Sequence, residues 1–169
     1  MIKKRKKKII DYSRLVNSKI LSTYKLNDNS LPHITILQFI MEESKEYEIV
    51  HKLFKLSFKK IFVNFYGASF LPSKDRKTVW IEISVERNNE LIKLQNKVLQ
   101  VLKPKKILNS LGNKFRPHIT ISRCDIKQIP VNILDNKILI KQRLTCNPCL
   151  GCGTPINDYT FNKIIHKFS

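Results

Sequence analysis

Glycine is scarce in this chain, with four residues among 169. The sequence contains no Gly-x-Ser-x-Gly elbow, the turn on which many hydrolases hold a nucleophilic serine. It also contains no glycine-rich loop of the kinds that cradle phosphates or dinucleotides. These absences argue against a serine hydrolase, a P-loop enzyme and a dinucleotide-dependent oxidoreductase.

Long apolar runs are also missing. No window reaches about 18 consecutive apolar residues, the length that a membrane-spanning helix requires, so we expect no membrane partner. The basic start, Met1–Lys8, is followed by Ile9 and Ile10 alone before Asp11, which is too short an apolar stretch for a secretory signal. We therefore expect a cytoplasmic protein, or a nuclear one if the block Lys3–Lys8 serves as a nuclear address in a eukaryotic host.

Acidic residues are few: 13 Asp and Glu stand against 32 Lys and Arg, for a formal net charge of +19. Cations that neutralise phosphates release condensed counterions, so a chain this basic favours RNA or another polyanion as its partner. The block Lys3–Lys8 is typical of a disordered arm. We expect a basic tail over residues 1–8, a single domain over residues 9–169, and a monomer.

Cysteine is the one scarce residue type with suggestive spacing. Cys146, Cys149 and Cys152 form a Cys-x-x-Cys-x-x-Cys pattern, and zinc or an iron–sulfur cluster would need a fourth ligand. The available candidates are Cys124 and His166, and neither has local ligand spacing. We expect reduced thiols, no metal and no other cofactor, with a metal-cluster protein as an alternative.

A short phrase is present twice. Pro-His-Ile-Thr-Ile begins at Pro32 and again at Pro117, and its two histidines are 85 positions apart. Polar residues alternate with isoleucine in both copies, which predicts two strands with one apolar face each. On such strands His33 and Thr35 point to the same side.

The second copy places His118 and Thr120 in the same relation, and two such pairs suit phosphodiester chemistry. In-line displacement at phosphorus needs one group to accept a proton and another, on the opposite side, to donate one. Imidazole titrates near neutrality and can do either. Threonine hydroxyls can donate hydrogen bonds to the non-bridging oxygens, which carry charge in the transition state. Such a site requires no metal.

The order of predicted elements indicates an α+β domain. We expect two pseudo-symmetric lobes of antiparallel sheet, flanked by helices, with a central cleft between them. Residues 9–26 are ambiguous: the pairs Ile9-Ile10 and Leu15-Val16 suggest a strand, whereas Ile20, Leu21 and Tyr24 could begin a short helix. The predicted helices are Glu42–Leu56 and Asn89–Lys103, and the predicted strands are His33–Phe39, Lys59–Leu71, Thr78–Val85, Pro117–Cys124, Lys137–Thr145 and Tyr159–Phe168.

The repeated motif resembles that of the 2H phosphoesterase superfamily, which includes RNA 2′,3′-cyclic phosphodiesterases once called 2′-5′ RNA ligases. The run from Phe115 to Arg123 is similar to the family's second motif, with an aromatic residue, Pro-His-x-Thr and a trailing arginine. The resemblance implies that His33 and His118 are the acid and base and that Thr35 and Thr120 are phosphate clamps.

By the same resemblance, the substrates would be RNA ends or small oligonucleotides. The scissile group would be a 2′,3′-cyclic phosphate, a 2′-5′ linkage or a cyclic dinucleotide. A non-catalytic RNA-binding protein that retains the fold is the alternative, although intact His and Thr residues at all four positions argue against it.

Four further residues are candidates for substrate binding. Tyr66 and Trp80 lie on strands that could border the cleft and stack on a base, although core packing is the commoner role. Arg76, beside a turn, could contact the nucleic-acid backbone. Arg123 is one residue out of phase with His118 and Thr120, so a structural salt bridge or a rim contact is as reasonable for it as phosphate binding.

Overall fold

The computed structural model describes residues 2–27, 32–129, 143–152 and 163–168. Its helices are α1 (Ile2–Asn17), α2 (Glu46–Phe54) and α3 (Asn89–Leu102). Short 3₁₀ turns cover Glu43–Lys45, Gly112–Lys114 and Ile126–Gln128. The strands are β1 (Ser22–Lys25), β2 (Phe39–Ile40), β3 (Ile61–Pro72), β4 (Thr78–Val85), β5 (Lys106–Ile107), β6 (His118–Asp125), β7 (Arg143–Cys146), β8 (Cys149–Cys152) and β9 (Lys163–Lys167).

An antiparallel sheet of five strands, in the order β1-β6-β4-β3-β7, organises the structure. Two smaller antiparallel pairs, β2-β5 and β8-β9, complete the described strands. The predicted α+β class, with antiparallel sheet and helices, is confirmed. The strand from Thr78 to Val85 matches its predicted bounds, and its alternate residues Val79, Ile81, Ile83 and Val85 are buried in the core.

Helix α1 corrects two expectations about the start of the chain. Residues 2–8, expected to be a disordered tail, belong to this helix, and so do the apolar pairs that suggested a strand. Ile9, Tyr12 and Val16 are buried and recur at intervals of three and four, the spacing of one helical face. The helical spacing of these buried residues determines the structure, not the strand that the apolar pairs suggest. The basic block before them makes that spacing hard to recognise in the sequence.

Ser13 joins α1 to the sheet. Its hydroxyl is completely buried and donates a shared hydrogen bond to the carbonyl oxygens of Leu26, at 2.8 Å, and Ile121, at 3.0 Å. Since Ile121 lies in β6, α1 packs on the core side of the strand that carries the second histidine motif. A buried hydroxyl needs such partners to offset its desolvation.

The two predicted later helices are confirmed, with small differences at their ends. A 3₁₀ turn over Glu43–Lys45 precedes α2. The Asn88 side chain caps α3 by accepting a hydrogen bond from the Leu91 amide at 2.9 Å. Lys103 ends that helix in the left-handed conformation, with φ of 43°, just before Pro104.

The first histidine motif does not form the predicted strand. Residues 32–38 have no regular secondary structure, and strand pairing begins only at Phe39. Side chains bind the backbone here instead of a neighbouring strand. Gln95 and Asn109 donate to the Ile36 carbonyl at 2.8 and 3.1 Å, and the Asn109 side-chain oxygen accepts from the Gln38 amide at 2.7 Å.

Some sequence predictions fall partly or wholly outside the described residues. These are residues 137–142 of the strand predicted over 137–145 and residues 159–162 of the last predicted strand. The described parts of the two strands are β7 and β9. Within the described ranges, no helix has the length and apolar character needed to cross a bilayer.

Gln95 should be important for stability because it is 1% exposed and bonds two separate segments. Besides the Ile36 carbonyl, it binds the Gly112 amide, whose nitrogen lies 3.1 Å from the glutamine oxygen. Gln95→Ala leaves these buried groups unsatisfied, so we expect the free energy of unfolding, measured in urea, to fall by about 1–3 kcal/mol. Gln100→Ala, an exposed site on the same helix, is the control. Equal small effects at both positions would contradict this role.

Candidate active site

Strand β6 presents the second motif as the sequence predicts. Ile119 and Ile121 are buried in the core, whereas His118 and Thr120 are partly exposed. The alternation follows from the two-residue period of a strand. His118 and Thr120 therefore lie on the face of the sheet opposite α1, and we call this side the His118 face.

Strand β4 supplies the neighbours of the motif on the same face. In the antiparallel register Ser84 is opposite His118, and Glu82 is opposite Thr120. Ser84, Glu82 and Trp80 alternate with the buried β4 residues, so they lie on the His118 face too. Directly opposed residues on one face of an antiparallel pair are in contact range.

A β-bulge in β6 brings Arg123 onto this face. Ile81 pairs with Ser122 while Glu82 pairs with Thr120, so Ile121 is an extra residue without a partner across the ladder. Beyond the bulge, Arg123 is opposite Trp80. The prediction that Arg123 is out of phase with His118 is therefore wrong, because strict alternation does not take account of an inserted residue.

Glu82 is a buried carboxylate at the centre of the His118 face. Its side chain is 3% exposed, and its Oε2 atom lies 2.6 Å from Nη1 of Arg116. Its Oε1 atom lies 3.3 Å from Nε2 of His118. A charge removed from water in this way is tolerated only when it is paired, so one carboxylate connects an arginine and the motif histidine.

His118 is further fixed through its other ring nitrogen. Nδ1 lies 2.8 Å from the carbonyl oxygen of Arg116. A carbonyl can only accept, so Nδ1 carries a hydrogen in this arrangement. Nε2 is then the nitrogen that can take up or release a proton, and when it is protonated it faces the Glu82 carboxylate.

Sequence reasoning missed Glu82 and Arg116. The available signal was a carboxylate within the strongly apolar strand Thr78–Val85, at a position between Ile81 and Ile83. A single sequence does not reveal that the β4–β6 register places this carboxylate beside the second histidine.

The first motif lies in the irregular segment over residues 32–38. His33 and Thr35 are partly buried, and Ile34 and Ile36 pack against the main core. The segment is held in place by Gln95 and Asn109 through the Ile36 carbonyl, as described above. The apolar role predicted for the two isoleucines is therefore confirmed, although the strand is not.

The other two predicted substrate-binding residues lie on β3 and in the turn before β4. Tyr66 is 64% exposed on β3, beside Gly67, which pairs with Ser84. Arg76 is exposed in the turn before β4, which begins at Thr78. At about 3.3 Å per strand residue, that turn is about 20 Å from the pair of Ser84 and His118. Roles for Tyr66 and Arg76 stay predictions.

Two of the three clustered cysteines have described side chains. Cys146 and Cys149 are free thiols, and desolvation raises the pKa of each. Among the described residues there is no group of three His, Cys, Asp or Glu side chains that could hold an ion. The side chain of Cys152 lies outside the described part of the chain.

Comparison with known proteins adds a family match. A family model described as the 2′-5′ RNA ligase superfamily matches residues 21–135, a segment that includes both histidine motifs. No curated protein matches the chain.

Two solved structures of Usb1 from Kluyveromyces marxianus are similar to this chain. One is 11% identical, covers 84% of both chains and has a TM-score of 0.48. The other, with uridine monophosphate, is 12% identical, covers 72% of this chain and 65% of that one, and has a TM-score of 0.42. At these scores the family model, not the structures, carries the assignment.

The pairing of Arg116 with Glu82 can be tested through stability. Arg116→Ala removes a cation from a buried carboxylate, so we expect a loss of about 1–2 kcal/mol, reduced from a fully buried pair because Arg116 is partly exposed. In a Glu82→Gln background the same change should cost less, since a neutral amide needs no cation. Urea unfolding of the four proteins measures the coupling.

The control for this cycle is the exposed pair Lys52 and Glu48 on α2, 2.7 Å apart. Lys52→Ala should change stability little, because solvent screens a surface pair. An Arg116→Ala effect that is equally small, or unchanged by Glu82→Gln, would show that the buried ion pair does not contribute.

Proposed function

The chain belongs to the 2′-5′ RNA ligase superfamily of 2H phosphoesterases, and from that membership we propose that it is a metal-independent phosphodiesterase. Its substrates are RNA ends or small oligonucleotides with a 2′,3′-cyclic phosphate, a 2′-5′ linkage or a cyclic dinucleotide structure. The observation that carries the proposal is the repeated Pro-His-Ile-Thr-Ile motif together with the fixed orientation of His118.

In the proposed mechanism, His33 and His118 act on opposite sides of one phosphorus atom. One imidazole takes a proton from the attacking water, and the other gives a proton to the leaving oxygen. For His118 the transferred proton is on Nε2, because Nδ1 bonds the Arg116 carbonyl, and in the reaction Nε2 exchanges its contact with Glu82 for one with the substrate. Which histidine is the acid stays open, and the two exchange roles when the direction of reaction is reversed.

Thr35 and Thr120 act as phosphate clamps in this mechanism. Thr120 lies one strand pleat from His118 on the same face, so its hydroxyl can donate to a non-bridging oxygen while His118 acts on a bridging one. Glu82 is a positioning residue, since its carboxylate contacts both His118 and Arg116.

The charge of the chain supports a polyanionic substrate. A formal net charge of +19 attracts RNA and raises its local concentration at the surface. The same charge would suit an RNA-binding protein without activity, so the activity assay also decides between these two functions.

Replacing either histidine should sharply lower the rate of hydrolysis. We expect His118→Ala and His33→Ala each to lower the rate by about 10²–10⁴-fold in EDTA, because each removes one proton-transfer group. The substrate panel is a 2′,3′-cyclic nucleotide, a 2′-5′-linked adenylate and a cyclic dinucleotide, with products identified by mass. His51→Ala, on the exposed side of α2, is the control.

The wild-type protein must turn over at least one member of this panel in EDTA. Failure on all of them, with retained RNA binding, would favour the binding protein over the enzyme. Full activity of His118→Ala would exclude the two-histidine mechanism.

The pH dependence of kcat should be bell-shaped. One histidine must be neutral while the other is protonated, so activity falls at both low and high pH. Rates measured between about pH 5 and 9, a range that spans the titration of imidazole, test this expectation. A rate that rises steadily across the whole range is incompatible with it.

A further inference from the structure

Tyr24, Arg123 and Trp80 form a row across three strands of the sheet, which we call the Arg123 row. Tyr24 on β1 and Trp80 on β4 are both directly opposite Arg123 on β6. Because of the bulge at Ile121, this row lies on the His118 face. An arginine between two aromatic residues thus lies on the same surface as the second histidine motif.

The guanidinium group of Arg123 is held in a defined place. Its Cζ atom lies 4.9 Å from the centre of the Trp80 ring, within the range of a cation–π interaction. Its Nε atom donates to the Thr78 hydroxyl at 3.2 Å. The rings of Tyr24 and Trp80 are 6.2 Å apart and inclined by 58°. These contacts fix the group before any ligand binds.

The positive charge of Arg123 has no acidic partner among the described residues. In the part of the chain that the structure describes, no carboxylate lies within ion-pair distance of Arg123, and its two terminal nitrogens make no hydrogen bond. Arg116, by contrast, is neutralised by Glu82. A pre-positioned guanidinium with free donors is suited to bind a phosphate.

The spacing of the rows relates this cation to the reaction centre. Along β4, Trp80 is two residues from Glu82 and four from Ser84, which is opposite His118. At about 3.3 Å per residue, the Arg123 row is about 7 Å from the row of Thr120 and about 13 Å from that of His118. One nucleotide can span the interval between adjacent rows.

We propose that the Arg123 row is a binding subsite for the nucleotide next to the scissile phosphate, so that oligonucleotides are preferred to single nucleotides. Arg123 binds the phosphate of that nucleotide, and the partly exposed ring of Trp80, with Tyr24, stacks on its base. A cation beside aromatic rings is the usual combination for single-stranded nucleic acid. The inference rests on the proposed function for the position of the scissile group.

The chain contains a single tryptophan, so Trp80 reports directly on binding. Its fluorescence is followed while a trinucleotide or a mononucleotide with the same 2′,3′-cyclic phosphate end is added to the inactive His118→Ala protein. We expect the trinucleotide to quench Trp80 and to bind at least about fivefold more tightly, the lower range for one stacked base. Arg123→Gln in the same background should remove most of that difference.

A kinetic measurement tests the same subsite in the active protein. The ratio of kcat/KM for the trinucleotide to that for the mononucleotide should fall at least about fivefold in Arg123→Gln and in Trp80→Ala. Trp80→Phe, which keeps an aromatic ring, should retain most of the preference. Lys93→Gln, which removes one cation from the exposed surface of α3, should leave the ratio unchanged.

The outcomes separate this inference from the proposed function. The subsite would be overturned if Arg123→Gln lowered kcat/KM equally for the trinucleotide and the mononucleotide, or if the trinucleotide did not quench Trp80. Arg123 would then have a structural role. If wild type turns over neither substrate but the trinucleotide quenches Trp80 in an Arg123-dependent way, the subsite stands and the proposed catalysis fails.

Discussion

The buried Glu82 carboxylate is the interaction on which the described site depends. A carboxylate at 3% exposure needs charged neighbours to offset its desolvation, and Arg116 and His118 lie beside it. Those contacts exist only in the observed pairing of β4 with β6, since a slip of one residue would turn His118 into the core. The orientation of the histidine and the register of the sheet therefore support each other.

The bulge at Ile121 extends this arrangement along the sheet. The extra residue keeps Ile121 and Ser122 buried, where the Ile121 carbonyl binds Ser13 of α1, and returns Arg123 to the His118 face. The packing of Ile121 and Ser122 on the core side of β6 is thus linked to the position of Arg123 on the His118 face. Bulges commonly re-aim a side chain in this way.

The sequence was most informative where one periodic signal dominated. Alternation predicted β4 and the second motif, and helical spacing predicted α2 and α3. Prediction from the sequence failed where non-local contacts decide the structure. One case is the bulge that places Arg123, and another is the pairing of Glu82. The third is the segment around Ile36, where the side chains of Gln95 and Asn109 bind the backbone in place of a neighbouring strand. None of these contacts leaves a local pattern in a single sequence.

The two motif histidines are supported by different means, and this has a consequence for the proposed mechanism. His118 lies within a five-stranded sheet and has both ring nitrogens engaged. His33 lies in an irregular segment whose backbone is bound by Gln95 and Asn109. An acid and a base that share one phosphorus atom must be held to within about 0.5 Å. In the proposed mechanism, the relative position of the two imidazoles therefore depends more on the packing of α3, which carries Gln95, than on the sheet.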